Sequence, residues 1–193
     1  MRMVRVIKSV MLTAAFLAVL LTVFACTGVG FRLVSSYEEI QRRFSIDAKP
    51  GVVYPDLTPL NFEKSSVEYT FWPVSQTDNN SSAGEYFING SSILGGKKVI
   101  CTFSCSKSLL DCANIHDPII YNGVEVGEFI EEFNGHYSDG YGVYINDCEY
   151  KVSTLLEKDR RLSESEVEKI RSEIRDVLYS FICGIVDEAQ GQS

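Results

Sequence analysis

Six cysteines and two histidines are the side chains of this 193-residue chain best suited to chemistry, and their spacing limits what that chemistry is. Cys101, Cys105 and Cys112 run into His116 as C-x3-C-x6-C-x3-H, the ligand types of a structural zinc site. Zinc knuckles space their cysteines two residues apart in a tight turn, however, and Cys101 and Cys105 fall on a strand-like stretch. The reading is therefore buried apolar thiols and no metal site. A nucleophile pair of Cys112 and His116 would need a third group to orient the imidazole and donors for an oxyanion, and the sequence displays neither. No P-loop, dinucleotide-binding glycine pattern, HExxH or GxSxG occurs. No catalytic residue and no cofactor is expected.

The same cysteines bear on disulfides. Cys101 and Cys105 cannot join each other on one extended strand, because four residues at about 3.3 Å hold their Cα atoms roughly 13 Å apart, against a limit near 7 Å. Cys105 with Cys112, and Cys101 with Cys148, are the pairings left open, and otherwise these thiols stay free. With Cys183 the count beyond Cys26 is odd, so at least one thiol is free or pairs between molecules. On a helical wheel started at Val167, Cys183 falls at about 160°, away from the apolar face. It is expected in solvent, where it would be a free thiol or link two copies as a dimer.

Cys26 belongs to a different problem. Arg2, Arg5 and Lys8 precede Ser9 to Phe31, a stretch without charge and dense in Leu, Val, Phe and Ala. As a helix it would span roughly 34 Å, against a hydrocarbon core of about 30 Å. This is an export signal or a membrane anchor, and the positive flank keeps the N-terminus inside, which places the rest on the outer side of the cell membrane. Val23-Phe24-Ala25-Cys26 resembles the lipobox of bacterial lipoproteins, which implies cleavage before Cys26 and lipid attachment there. Phe24 is bulkier than that pattern prefers, and the apolar run continues to Phe31, so a lipid anchor and an uncleaved helix both stand, ahead of a cleaved soluble form or a buried core helix.

The chain carries 18 Lys plus Arg against 26 Asp plus Glu, a net charge of -8, which argues against a nucleic-acid partner. No acid precedes Glu38, so the part beyond the anchor is more acidic still and would be repelled by anionic lipid. Glu125, Glu128, Glu131, Glu132 and Asp139 read as a solvated acidic face, since no calcium-loop spacing is present. The aromatics Tyr54, Tyr69, Phe71, Trp72, Tyr86 and Phe87 offer material for a protein or glycan partner, with Trp72 on the face opposite Tyr69 and Phe71, but cover of the second sheet face by loops is the preferred reading.

What would position these residues is one domain over 32–193, after the anchor at 1–31. Ser36-Tyr37-Glu38-Glu39 has the form of a capping box and predicts a short helix from Tyr37 to Phe44. Strands are predicted over Glu85–Ile88, Lys97–Ser104, Ile119–Tyr121, Val124–Phe129, Gly142–Asn146 and Glu149–Ser153, after an alternating run from Val67 to Trp72. Asn89-Gly90, Asn122-Gly123, Asn134-Gly135 and Asp139-Gly140 are the turn signals between them, which predicts an antiparallel meander. Ser163-Glu164-Ser165-Glu166 caps a long amphipathic helix whose apolar face holds Val167, Ile170, Ile174, Val177, Leu178, Phe181, Ile182 and Ile185, with Glu168, Arg171 and Arg175 opposite. The fold class is α+β, with the helices on one face of the sheet.

A capped helix, the connector Val53-Tyr54-Pro55, sheet strands, Asn122-Gly123-Val124-Glu125-Val126, then Val143-Tyr144-Ile145-Asn146-Asp147-Cys148-Glu149-Tyr150 and a Ser-capped terminal helix succeed one another in order. Over about residues 36 to 186 this order resembles a family of uncharacterised extracytoplasmic domains found in bacterial lipoproteins and in membrane-anchored anti-sigma-type regulators. The resemblance rests on order and pattern. It implies an envelope binding or sensing domain without catalysis and transfers no site residue. The alternatives are an envelope enzyme with a scattered site, for which His116 and His136 are the candidates, and a purely structural lipoprotein.

Overall fold

The computed structural model describes residues 32–47, 52–72, 85–106 and 116–191. The expected anchor with Cys26, and Cys112, lie outside the described residues, among which no helix is long and apolar enough to cross a membrane. The elements run β1 (Arg32–Val34), α1 (Tyr37–Asp47), a 3-10 turn (Thr58–Leu60), β2 (Glu68–Trp72), β3 (Glu85–Leu94), β4 (Lys97–Ser106), β5 (His116–Tyr121), β6 (Val124–Phe133), β7 (His136–Ile145), β8 (Cys148–Glu157) and α2 (Glu164–Gly191). All eight strands join one antiparallel sheet in the order β1-β2-β3-β4-β8-β7-β6-β5. The fold is α+β.

The single meander expected from the sequence is instead two meanders of four strands. The second begins at the far edge with β5 and returns until β8 lies beside β4. Pro118 gives a reason for the edge position of β5, since proline cannot donate to a ladder and a register shift separates His116 from Ile119. The two central strands each bury a long alternating run: Val99, Cys101, Phe103 and Cys105 on β4, and Cys148, Tyr150, Val152, Thr154 and Leu156 on β8.

Tight turns with left-handed backbone at both central residues join the long hairpins, at Gly95-Gly96, Asn122-Gly123, Asn134-Gly135 and Asn146-Asp147. Two of these four were signalled as Asn-Gly pairs. The other two signals mislead. Asn89-Gly90 lies inside β3, opposite Thr102 and Cys101, and Asp139-Gly140 lies inside β7, opposite Thr154 and Ser153. At Gly140 the reason for glycine is space rather than a turn. The Phe129 ring from β6 lies over it, and a Cβ would overlap that ring and sit 2.6 Å from the Val152 carbonyl oxygen. The ring can swing, but the carbonyl of a central strand cannot. Gly140→Ala should therefore lose about 1–3 kcal/mol by overpacking, read as a lower urea midpoint at unchanged slope. A midpoint equal to that of the parent would show that the ladder gives way locally.

Both helices cover the same face. Phe44 of α1 meets Tyr86 edge-on at a ring distance of 5.2 Å, and Phe181 of α2 meets Phe103 at 5.2 Å. Helix α1 is held at its start by Ser36 Oγ accepting from the Glu39 amide at 3.2 Å, while the Ser35 amide and hydroxyl both donate to Glu39 Oε2 at 2.8 Å. The box before α2 closes as its sequence predicts, with the Ser163 amide donating to Glu166 Oε2 at 2.8 Å and the Glu166 amide donating to Ser163 Oγ at 3.4 Å. From α2, Ile174, Leu178, Phe181, Ile182 and Ile185 enter the core, with Val167, Ile170 and Val177 at its margin.

Candidate functional site

Strands β4 and β8 pair from Ser106 opposite Glu149 to Ile100 opposite Leu155, and there the ladder stops. Beyond it the two strands part, and a cavity of about 300 Å³ opens between them and the first turns of α2. Its floor is apolar, made by Leu156, Leu162, Val167, Ile170 and the Tyr137 ring. Its rim carries Lys97, Lys98, Lys158 and Arg161 together with Glu157 and Asp159. Lys97 is fixed there by the turn before it. Gly95 has φ 54°, and a Cβ on it would lie 3.0 Å from the Ile170 carbonyl oxygen and 3.3 Å from Ile174 Cγ1, so the turn is pressed onto α2.

Most rim charges are already held. Lys98 Nζ lies 2.7 Å from Glu63, Lys158 pairs with Glu132, and the Arg161 guanidinium donates to both oxygens of Asp159 at 2.9 Å. Those hydrogen bonds hold the Asp159 carboxyl down at about 2 and push the Arg161 guanidinium up. Both groups stay charged near neutrality, which suits recognition by charge and hydrogen bonding. A proton-transfer carboxylate would need the opposite shift. Lys97 attracts Asp159 and Glu166 at longer range but makes no ion pair within 4 Å among the described residues.

Beside the cavity lies a buried ion pair. Arg171 of α2 donates to Asp139 of β7 through Nε at 2.9 Å and Nη2 at 2.6 Å, and Arg175 Nη1 lies 3.7 Å from the same carboxylate. Arg175 also pairs with Glu168, and the Arg171 guanidinium lies over the Tyr137 ring at 4.6 Å with Lys158 Nζ 4.8 Å from that ring. One step along the sheet, the Tyr141 hydroxyl donates to Glu128 at 2.6 Å, and burial, reinforced by that bond, pushes the phenol up. These groups lie away from where local pattern puts them, which is the polar side of the helix for Arg171 and Arg175 and a polar turn for Asp139. The strand continues through Asp139, whose inward alternation with Tyr141 and Tyr137 brings it under α2.

The acidic residues of β6 divide by alternation. Glu128 and Glu132 face the helix side, while Glu125 and Glu131 are exposed on the other. Among the described residues, no group of three or more His, Cys, Asp or Glu side chains is placed to hold a metal ion. The C-x3-C-x6-C-x3-H pattern is dispersed: β4 with Cys101 and Cys105 is four strand steps from β5, which His116 opens, a separation of about 19 Å. His136 sits beside the β6–β7 turn with Nδ1 3.0 Å from the Asn134 carbonyl oxygen. The side chains of His116 and Trp72 lie outside the described residues, and Phe71 and Tyr86 are core rather than surface.

Cys101, Cys105 and Cys183 are free thiols, and they and Cys148 are buried. The disulfide between Cys101 and Cys148 is ruled out by register, because Cys101 stands opposite Thr154, six residues from Cys148 and about 20 Å along the strand. Cys105, opposite Tyr150, is instead the diagonal neighbour of Cys148, and the two thiols interact. Cys183 is 7% exposed, not in solvent as the helical wheel implied. The β5–β6 hairpin covers that side of α2: the Tyr121 hydroxyl and the Asn122 side-chain Nδ2 both donate to Asp187 at 2.9 Å, and Gln190 Nε2 donates to the Asn122 backbone carbonyl at 3.0 Å. A disulfide between two copies would first have to expose this sulfur.

Burial pushes the Cys101 thiol up to about 12 and raises Cys105 and Cys183 as well. At mildly alkaline pH, Cys101 thus carries about a thousandfold less thiolate than a free cysteine. Its alkylation by iodoacetamide in native protein should track unfolding, with fast labelling only in denaturant. Rapid native labelling of Cys101 at a rate set by reagent alone would contradict this packing.

No family model matches the sequence, and comparison with curated proteins and with solved structures returns no match.

Proposed function

We propose that this chain is a membrane-anchored, extracytoplasmic binding or sensing domain of a bacterial cell envelope, acting without catalysis. Segment 1–31 holds it at the outer side of the cell membrane, through an uncleaved helix or through lipid on Cys26. The observation that carries the binding reading is the open cavity at the end of β4 and β8, where an apolar floor meets charged groups fixed by ion pairs. Such groups recognise rather than transfer protons. The charge-free run after Arg2, Arg5 and Lys8 supports the anchor, and the order of elements shared with extracytoplasmic lipoprotein and anti-sigma-type domains supports the setting.

Full-length protein in lipid nanodiscs, heated with and without fractions of bacterial envelope extract, tests the reading. At least one fraction should raise the melting temperature without being consumed. Turnover of cell-wall material by the pure protein, or no thermal response to any fraction, would overturn it. Protease added outside intact cells should remove the domain, and survival of the domain there would overturn the outer location.

A further inference from the structure

The lining of the cavity favours one ligand chemistry, provided that the cavity serves the binding role proposed for it. We infer that it takes a small anionic amphiphile, a carboxylate of about eight carbons in all. Size sets the first limit. At about 30 Å³ per water-sized group, 300 Å³ admits roughly ten non-hydrogen atoms, the size of octanoate. The floor sets the second. Leu156, Val167 and Ile170 present only hydrocarbon, so a polar body would lose its water there without regaining hydrogen bonds.

The sign of the head group is set by Lys97. The two carboxylates that it attracts are engaged elsewhere, Asp159 by the Arg161 guanidinium and Glu166 by the Ser163 amide and hydroxyl. Lys97 is half-buried in the lining of a cavity that mixes apolar and charged side chains and makes no ion pair within 4 Å among the described residues, and a carboxylate entering with its chain on the floor supplies a counter-charge. The chain as a whole carries -8, so a bare anion approaching it is repelled by the wider field. The hydrocarbon body is therefore required for affinity, and the ammonium selects the sign of the head.

The test uses full-length protein in nanodiscs of zwitterionic lipid, with methyl NMR of Leu156, Val167 and Ile170 against the core methyls of Ile40 and Ile88. Octanoate should shift the cavity methyls saturably and leave the core methyls in place, while octanol binds about tenfold more weakly. Lys97→Glu should weaken octanoate about tenfold or more and leave octanol unchanged, and Lys97→Arg should keep octanoate binding, which shows that the cavity survives substitution. Octylammonium or octanol binding as tightly as octanoate, inorganic phosphate doing the same, or a Lys97→Glu variant that binds octanoate normally would each overturn the inference. Absence of a saturable octanoate shift while an envelope fraction still raises the melting temperature would overturn the ligand class alone. Absence of both would overturn the binding reading with it.

Discussion

Asp139→Ala should lower the unfolding free energy by about 3–5 kcal/mol, the largest effect expected of any charged residue in the domain. Asp139 is 1% exposed, and the side chains that it satisfies, Arg171 and Arg175, are 12% and 16% exposed. Removing the carboxylate leaves Arg171 with the Tyr137 ring and a Glu168 oxygen at 3.7 Å, too little to replace two short charge-assisted hydrogen bonds. The cost is that of an uncompensated buried cation, not of the pair itself. The double variant Asp139→Leu with Arg171→Met should therefore recover most of the loss, because hydrocarbon of similar volume replaces both charges. Urea unfolding of the single and double variants measures this. A single-variant loss below about 1 kcal/mol would mean that water reaches the pair as it reaches surface ion pairs. The pair also joins α2 to β7 beside the cavity, so Asp139→Ala should move the Val167 and Ile170 methyls as well.

Phe103→Ala should cost a similar amount, about 3–5 kcal/mol, for an unrelated reason. Phe103 stands at the middle of β4, opposite Ile88 on one side and Val152 on the other, and no part of it reaches solvent. Its ring meets Tyr86 at 5.9 Å and Phe181 at 5.2 Å, while Tyr86 in turn meets Phe44, so one aromatic chain ties α1, the sheet and α2. Truncation opens a cavity beneath both helices, and a rigid sheet collapses into it poorly. Phe103→Leu should lose clearly less. Equal losses for Ala and Leu would show that ring geometry matters more than volume, and a loss under about 1.5 kcal/mol for Ala would show that the helices settle into the gap.

The local features of the domain were legible because each is fixed by neighbours in the chain. The box of Ser163 and Glu166, the apolar stripe of α2 and the hairpins at Asn122-Gly123 and Asn134-Gly135 need only short-range hydrogen bonds, helical periodicity and tolerance of positive φ. Asn89-Gly90 and Asp139-Gly140 carry the same local signal and lie inside strands, because each belongs to a ten-residue strand paired on both sides, and that long-range pairing and burial override the turn preference of two residues. Helix wheels failed in a related way. The far side of α2 from its stripe is polar in composition, yet Cys183 is covered by the β5–β6 hairpin and Arg171 by a carboxylate from β7.

By itself, then, the sequence determined the fold class, the capped terminal helix, two of the hairpins and the acidic charge, all of which depend on residue type and short spacing. The tertiary structure decided the rest. The register of β8 against β4 separates Cys101 from Cys148, the far-edge place of β5 separates it from His116, and the end of the β4–β8 ladder at Ile100 and Leu155 leaves room for the cavity. The meeting of Asp139 with Arg171 spans 32 residues. Local spacing dictates none of these, because each depends on which strand edge finds which partner. That choice is made by the burial of whole alternating faces, not by any short motif.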